Sequence, residues 1–120
     1  MSKATLVIGA SANPSRYSYL AIERLLAKGH PVVAIGLKAV KVHGILIETE
    51  KVPFEGIDTV TMYLGAERQR EYYDYILSLH PRRVIFNPGA ENSELSDLLD
   101  KNGISWMEAC TLVMLSTQQY

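Results

Sequence analysis

Apolar runs of strand length alternate with helical patterns along the 120-residue chain. The apolar runs predict five strands, at residues 4–8, 31–35, 58–64, 83–86 and 104–107. Between them, apolar residues at helical spacing predict helices around residues 19–26 and at 67–79, 94–101 and 111–116. Such alternation needs helical crossovers over the faces of a sheet, so the five strands are expected to run parallel.

The composition of the runs indicates that the sheet is buried on both sides. Residues 4–8 are apolar except for Thr5, and residues 31–35 read PVVAI, which is typical of strands covered by helices on both faces. Residues 36–56 show only one short apolar run, Ile45-Leu46-Ile47, and no amphipathic pattern. The sequence therefore predicts one α/β domain over residues 1–120 with a doubly wound, parallel, five-stranded, Rossmann-like sheet.

Charge and composition argue against several classes of protein. The formal net charge is −1 and basic and acidic residues are mixed, so no basic face for nucleic acid is expected. No segment reaches the roughly 18 apolar residues that span a bilayer, and the first apolar run is too short for a signal peptide. The one cysteine, Cys110, has no internal disulfide partner, which is typical of a reducing compartment. We expect a cytoplasmic protein that binds neither nucleic acid nor membranes.

Three junctions between a strand and the next helix are candidate ligand sites, at residues 9–18, 36–41 and 87–93. In a parallel sheet they share the carboxyl edge, where ligands bind. At the first junction a glycine ends the strand and a helix follows, whose free N–H groups and dipole favour a phosphate; a capped structural turn is the alternative. Polar side chains there add hydrogen bonds and one positive charge, from Ser11, Asn13, Ser15 and Arg16.

These junctions do not match the common nucleotide-binding motifs. Ser11 and Pro14 replace the second and third glycines of the dinucleotide pattern G-x-G-x-x-G, and no G-x-x-x-x-G-K-[ST] occurs. At the second junction, Lys38 stands where NAD-binding domains place an acidic residue, and it favours an additional phosphate; a solvated surface lysine is the alternative. At the third, Asn87 and Gly89 suit either a ligand contact or a simple turn.

No set of side chains forms an evident catalytic centre. His30, His43 and His80 lie beside turns without metal-ligand spacing, so we expect structural or solvated roles for them. Cys110 is interpreted as a buried, inert thiol, with a reactive thiol as the alternative. The tyrosine-rich segment at residues 70–75 is interpreted as a helix face and as a candidate dimer contact.

The segment Gly9-Ala-Ser-Ala-Asn-Pro14, followed by Arg16 and Ser18-Tyr19, resembles the opening of the small CoA-binding domain proteins. The same type of domain forms the N-terminal part of the succinyl-CoA synthetase alpha subunit. The resemblance continues through Asp58-Thr-Val60, Asn87-Pro-Gly89 and the closing EACTLVM. The chain departs from the small family members after the second strand, where Gly36-Leu37 stands in place of their Asn-Pro. The phosphorylated histidine of the synthetase belongs to a second domain, so ligase activity is not implied.

The resemblance implies that coenzyme A is the cofactor. It implies that the loop after the first strand holds the CoA phosphates, that Lys38 contacts the cofactor, and that the end of the fourth strand lines the same groove. The predicted CoA-binding residues are Gly9, Ala10, Ser11, Ala12, Asn13, Arg16, Ser18, Lys38, Phe86, Asn87, Pro88 and Gly89.

Three functional hypotheses follow. The first is a non-catalytic module that binds CoA or an acyl-CoA, alone, as a homodimer or with a protein partner. The second is an NAD(P)-linked or acyl-transferring enzyme that uses Cys110 or a loop carboxylate. The third is a dimeric scaffold that has lost its ligand and has the tyrosine-rich helix as its interface.

Overall fold

The computed structural model describes residues 2–120 and forms a seven-stranded sheet with helices on both faces. The strands are β1 (Thr5–Ala10), β2 (Val32–Gly36), β3 (Lys41–Val42), β4 (Ile45–Glu48), β5 (Thr59–Met62), β6 (Arg83–Phe86) and β7 (Ser105–Glu108). The helices are α1 (Tyr17–Ala27), α2 (Ala66–Gln69), α3 (Tyr73–Leu79), α4 (Ser93–Lys101) and α5 (Thr111–Ser116). A 3-10 turn, Arg70–Tyr72, joins α2 to α3.

The predicted parallel α/β architecture is confirmed, but the predicted number of strands is wrong. The strand order is β3-β4-β2-β1-β5-β6-β7, and every pair is parallel except β3 with β4. The two additional strands lie within residues 36–56 and have only two and four residues, too few to show a pattern. They are joined by a two-residue turn, His43-Gly44, in which both residues have positive φ (51° and 81°), as type I′ hairpin turns require.

The core is divided by the sheet into two layers, because successive strand residues point to opposite faces. In β1, Leu6 and Ile8 belong to the cluster that packs with α3 and α4, whereas Val7 packs with α1 and α5. The tyrosine-rich segment contributes to the first layer, where Tyr75 is only 8% exposed. No helix within residues 2–120 combines the length and apolar character needed to cross a bilayer.

The strand order reverses between β1 and β5. From β1 the chain winds through α1 to β2 and β4 on one side, then crosses to β5 on the other side and continues to β6 and β7. Helices that leave β1 and β5 therefore diverge, and a crevice opens at the carboxyl ends of these two strands. Such a switch point is where open α/β sheets bind ligands.

Candidate functional site

A groove of about 490 Å³ occupies this crevice. Its walls are the loop from β1 into α1, the loop after β2, the segment from the end of β5 through α2 to the 3-10 turn, and Pro88 after β6. The volume lies within the range of small-molecule sites in proteins. The three predicted junctions therefore contribute unequally, since only one residue after β6 reaches the groove.

Gly9 allows β1 to approach the end of β5 closely. Its φ is +92°, and the pairing of β1 with β2 is irregular between Ile8 and Ala10. A Cβ atom at Gly9 would lie 3.0 Å from the Tyr63 carbonyl carbon and 3.2 Å from the Leu64 backbone nitrogen. Glycine is thus required here both for its backbone conformation and for lack of space.

The polar side chains of the first loop hold the loop itself in shape. The Ser11 hydroxyl accepts a hydrogen bond from the Asn13 backbone N–H at 3.0 Å. The Asn13 side-chain oxygen accepts from the Ser15 N–H at 3.0 Å and from the Ser15 hydroxyl at 2.8 Å. Local bonds of this kind are typical of turns that begin a helix. The acceptor oxygens of Ser11 and Asn13 are engaged within the loop, but the Ser11 O–H and the Asn13 side-chain NH2 remain available to a ligand as donors, beside the free N–H groups at the start of α1.

The amino terminus of α1 carries no cap of its own. Arg16 occupies the N-cap position without a side-chain hydrogen bond, and no acidic residue lies in the first turn. By contrast, Asn92 caps α4 by accepting from the Leu95 N–H at 3.2 Å. The first N–H groups of a helix have no partner inside it. The start of α1 is therefore suited to an anion, and Ser18 in its first turn lines the groove.

Three basic side chains, Arg16, Lys38 and Arg68, line the groove, against one acidic side chain, Glu71. None of the three basic residues is in an ion pair with another residue of the range 2–120. Sequence analysis missed Arg68, which lies in α2, after β5. The available signal was position, because β5 faces β1 across the switch point and its own junction borders the crevice.

Exposed apolar side chains also border the groove and were likewise missed. Leu37 is 77% exposed, Tyr17 is 72% exposed and Val40 is 38% exposed, and all three line it. Tyr63 also lines the groove, while its hydroxyl is buried, and this burial raises the pKa of the phenol. A cluster of exposed apolar groups beside unpaired cations is typical of a site for an amphipathic anion.

The structure places three of the predicted residues outside the groove. Phe86 is 1% exposed and packs edge-on against Trp106. Asn87 is 2% exposed and binds Thr61 and the backbone, and Gly89 lies at the surface with φ +91°. The remaining predicted residues line the groove together: Gly9, Ala10, Ser11, Ala12, Asn13, Arg16, Ser18, Lys38 and Pro88.

The residues considered for catalysis lie elsewhere. Cys110 is a free, partly buried thiol directly before α5, and it is outside the groove lining. His43 and His80 are exposed, whereas His30 is buried at the opposite edge of the sheet. Residues 2–120 contain no group of three or more histidine, cysteine or carboxylate side chains arranged to hold a metal. The three basic side chains and the uncapped start of α1 are the features that suit the groove to an anion.

Comparison with known proteins agrees with this description. Residues 3–116 match the model of a family described as the CoA binding domain. An uncharacterized protein with a crystal structure shares 48% sequence identity with this chain. The match covers 100% of this chain and 99% of that chain, with a TM-score of 0.97. A hypothetical protein from Pyrococcus horikoshii OT3 shares the fold at 22% identity, over 97% of this chain and 83% of that chain, with a TM-score of 0.87.

A Thermus thermophilus protein shares the fold at 18% identity, over 99% of this chain and 91% of that chain, with a TM-score of 0.86. A search of curated proteins gave no significant match. The family model covers nearly the whole chain, and the groove lies where open α/β sheets bind ligands. On this basis, the chain belongs to the CoA binding domain family.

Proposed function

We propose that the groove binds coenzyme A or an acyl-CoA, and that the domain is a binding or regulatory module rather than an enzyme. The observation that carries this proposal is the uncapped start of α1 in a groove that also holds the basic side chains of Arg16, Lys38 and Arg68. Membership of the CoA binding domain family supports the same ligand class.

The chemistry of CoA matches the groove in two respects. Its pyrophosphate and 3′-phosphate are anions, which helix N–H groups and basic side chains bind by charge-assisted hydrogen bonds. Its adenine ring and pantetheine arm present apolar surface, for which Tyr17, Leu37 and Val40 are available. An NAD-binding site would instead favour an acidic residue after β2, where this chain has Lys38.

The absence of a reactive pair in the groove supports a binding role. Neither a histidine nor a cysteine is among the described residues that line it. Histidine is the side chain most often used in general acid–base catalysis, and cysteine is intrinsically the most nucleophilic side chain near neutral pH. Glu71 is the one carboxylate among the described residues of the lining, and its Oε2 lies 3.9 Å from Lys51 Nζ.

Calorimetric titration with CoA, dephospho-CoA and NAD tests the ligand. We expect CoA to bind most tightly, and dephospho-CoA about tenfold more weakly, because one charge-assisted interaction contributes about 1.5–3 kcal/mol. NAD is expected to bind more weakly than CoA, since Lys38 favours the additional phosphate. Tighter binding of NAD, or binding of none of the three, would contradict the proposal.

Replacing Arg68 by methionine tests the basic wall of the groove. We expect Arg68→Met to weaken CoA binding about tenfold and to reduce its salt dependence, since one unpaired cation is removed. Arg70→Met is the matched control, because Arg70 lies two residues away, outside the groove lining, with its Nε 3.6 Å from Glu94. Equal losses in both variants would indicate a general charge effect instead of a contact at Arg68.

A further inference from the structure

The amino edge of the sheet, opposite the groove, contains a cluster of polar groups around Tyr120. The Tyr120 hydroxyl shares a hydrogen bond with the Thr5 hydroxyl, and its backbone oxygen accepts from Lys3 Nζ at 3.0 Å. The Tyr120 ring lies 4.9 Å from the ring of His30, centroid to centroid. The guanidinium carbon of Arg83 lies 4.5 Å from the centroid of the Tyr120 ring. Tyr120 thus attaches the segment after α5 to β1 and β6.

His30 is held in its neutral form by a backbone contact. It is 8% exposed, and its Nδ1 accepts a hydrogen bond from the Lys3 backbone N–H at 2.9 Å. A nitrogen that accepts a hydrogen bond carries no proton, so this contact exists only with neutral imidazole. Protonation of Nδ1 would therefore break the bond between His30 and the start of the chain.

The charges around His30 are mainly positive. Lys3 and Arg83 both face it, and Arg83 is 5% exposed with one guanidinium nitrogen, Nη2, that has no hydrogen-bond partner among residues 2–120. The neighbouring carboxylate of Asp58 is already bound to Arg82. Its Oδ2 accepts from Arg82 Nε at 2.9 Å, and its Oδ1 accepts from Arg82 Nη2 at 3.3 Å. A protonated His30 would add a positive charge beside Lys3 and Arg83, while Asp58 is already bound to Arg82.

We propose that His30 and Tyr120 form an acid-sensitive latch, which holds residues 117–120 on the amino edge of the sheet while His30 is neutral and releases them when it is protonated. The closed form contains a buried guanidinium nitrogen without a partner, which opposes closure. Release of Tyr120 exposes Arg83 to water and removes this penalty. The two forms are thereby brought closer in free energy, as a switch requires.

The direction of the pH dependence follows from the surroundings. Burial, and then the charges of Lys3 and Arg83, lower the pKa of His30, with Asp58 opposing. Burial alone would raise the pKa of Asp58, but hydrogen bonds from Arg82 and Thr59 hold it below its ordinary value, so Asp58 stays ionised in weak acid. The released form binds the proton more tightly than the closed form. The latch is closed above the ordinary histidine pKa of about 6.5 and opens as the pH falls below it.

Amide hydrogen exchange of Gln119 measures the latch directly, because its N–H donates to the Met114 carbonyl at 2.8 Å. Between about pH 7.5 and about pH 5.5, after correction for intrinsic exchange, we expect protection of this amide to fall several-fold in the wild type. His30→Gln keeps an acceptor for Lys3 but cannot be protonated, so it should retain protection at both values. His80→Asn, at an exposed histidine with φ 50°, should behave as the wild type.

Equal protection of Gln119 at both pH values in the wild type, or an equal loss in His30→Gln, would overturn the latch. If His30→Gln does not fold, NMR titration of the wild type decides the same question. The ring resonances of His30 and Tyr120 should then shift with one common midpoint. A Tyr120 ring that stays unchanged while His30 titrates would also overturn the proposal.

Discussion

Replacing Gly36 by alanine should destabilise the domain by about 2–3 kcal/mol and deform the ligand groove, because there is no space for a side chain at this position. Gly36 ends β2 and pairs with Ala10 of β1. A Cβ atom at Gly36 would lie 2.3 Å from the Ala10 carbonyl oxygen and 2.9 Å from Cγ2 of Ile47. The first of these atoms belongs to the backbone, so the two strands must separate. Ala10 lines the groove, and its displacement should weaken CoA binding as well.

Urea denaturation and calorimetric titration of the same preparation measure both effects of Gly36→Ala. Gly65→Ala is the control, since Gly65 has φ −66° and a Cβ atom there would meet nothing within 4 Å. We expect the control to change the free energy of unfolding by less than about 1 kcal/mol. If Gly36→Ala unfolded at the same urea concentration as the wild type, β1 and β2 would have to separate easily at their carboxyl ends. That result would contradict the packing described above.

Replacing Asn87 by alanine should lower the free energy of unfolding by about 3 kcal/mol, because three buried hydrogen bonds are lost and the Thr111 N–H is left without an acceptor. The Asn87 side-chain nitrogen donates to the Thr61 hydroxyl at 2.7 Å and to the Met62 carbonyl at 3.0 Å. Its oxygen accepts from the backbone N–H of Thr111 at 2.8 Å. Asn87 therefore joins β5 and β6 to the start of α5, and nothing in the alanine variant replaces these bonds.

The same variant distinguishes a structural role for Asn87 from the ligand contact predicted by resemblance. If the role is structural, the folded fraction of Asn87→Ala should bind CoA within about threefold of the wild type, a difference of less than 1 kcal/mol. Asn102→Ala is the control, since Asn102 is exposed and donates to a single carbonyl, that of Leu98. Unchanged stability together with a large loss of affinity would show that Asn87 contacts the ligand directly.

The parallel architecture could be predicted because buried strands leave a strong signal. Strands with helices on both faces must be apolar along their length, and β1, β2 and β6 show this in the sequence. Of the two short strands, β3 left no such signal, and β4 left only the three-residue run Ile45-Leu46-Ile47. The predicted helix at 67–79 is interrupted by the 3-10 turn directly after Gln69, whose buried side chain donates to the carbonyls of Leu64 and Ala90. A buried glutamine with such partners has no signature in an apolar pattern.

The site could be predicted where the backbone itself creates it, and less well where side chains form it. The loop at residues 9–18 has a glycine that the turn requires and a helix start, and both can be read from local sequence. Arg68 and the exposed Leu37 reach the groove through strand order, which becomes known only when β5 is placed beside β1. Asn87 is a residue type that often contacts ligands, but its side chain is packed in the core and donates to the Thr61 hydroxyl.

Because the strand order reverses between β1 and β5, the groove forms only after both parts of the chain have folded. One wall comes from residues 9–47 and the other from residues 63–88, and they meet through the pairing of β1 with β5. A chain that has folded only one of these parts has half of a site, so a ligand of the groove binds the completed fold alone. Mass action then adds about 2.7 kcal/mol to the free energy of unfolding at a ligand concentration 100 times the Kd. The lifetime of the protein against proteases, and therefore its amount, would increase with the concentration of the ligand.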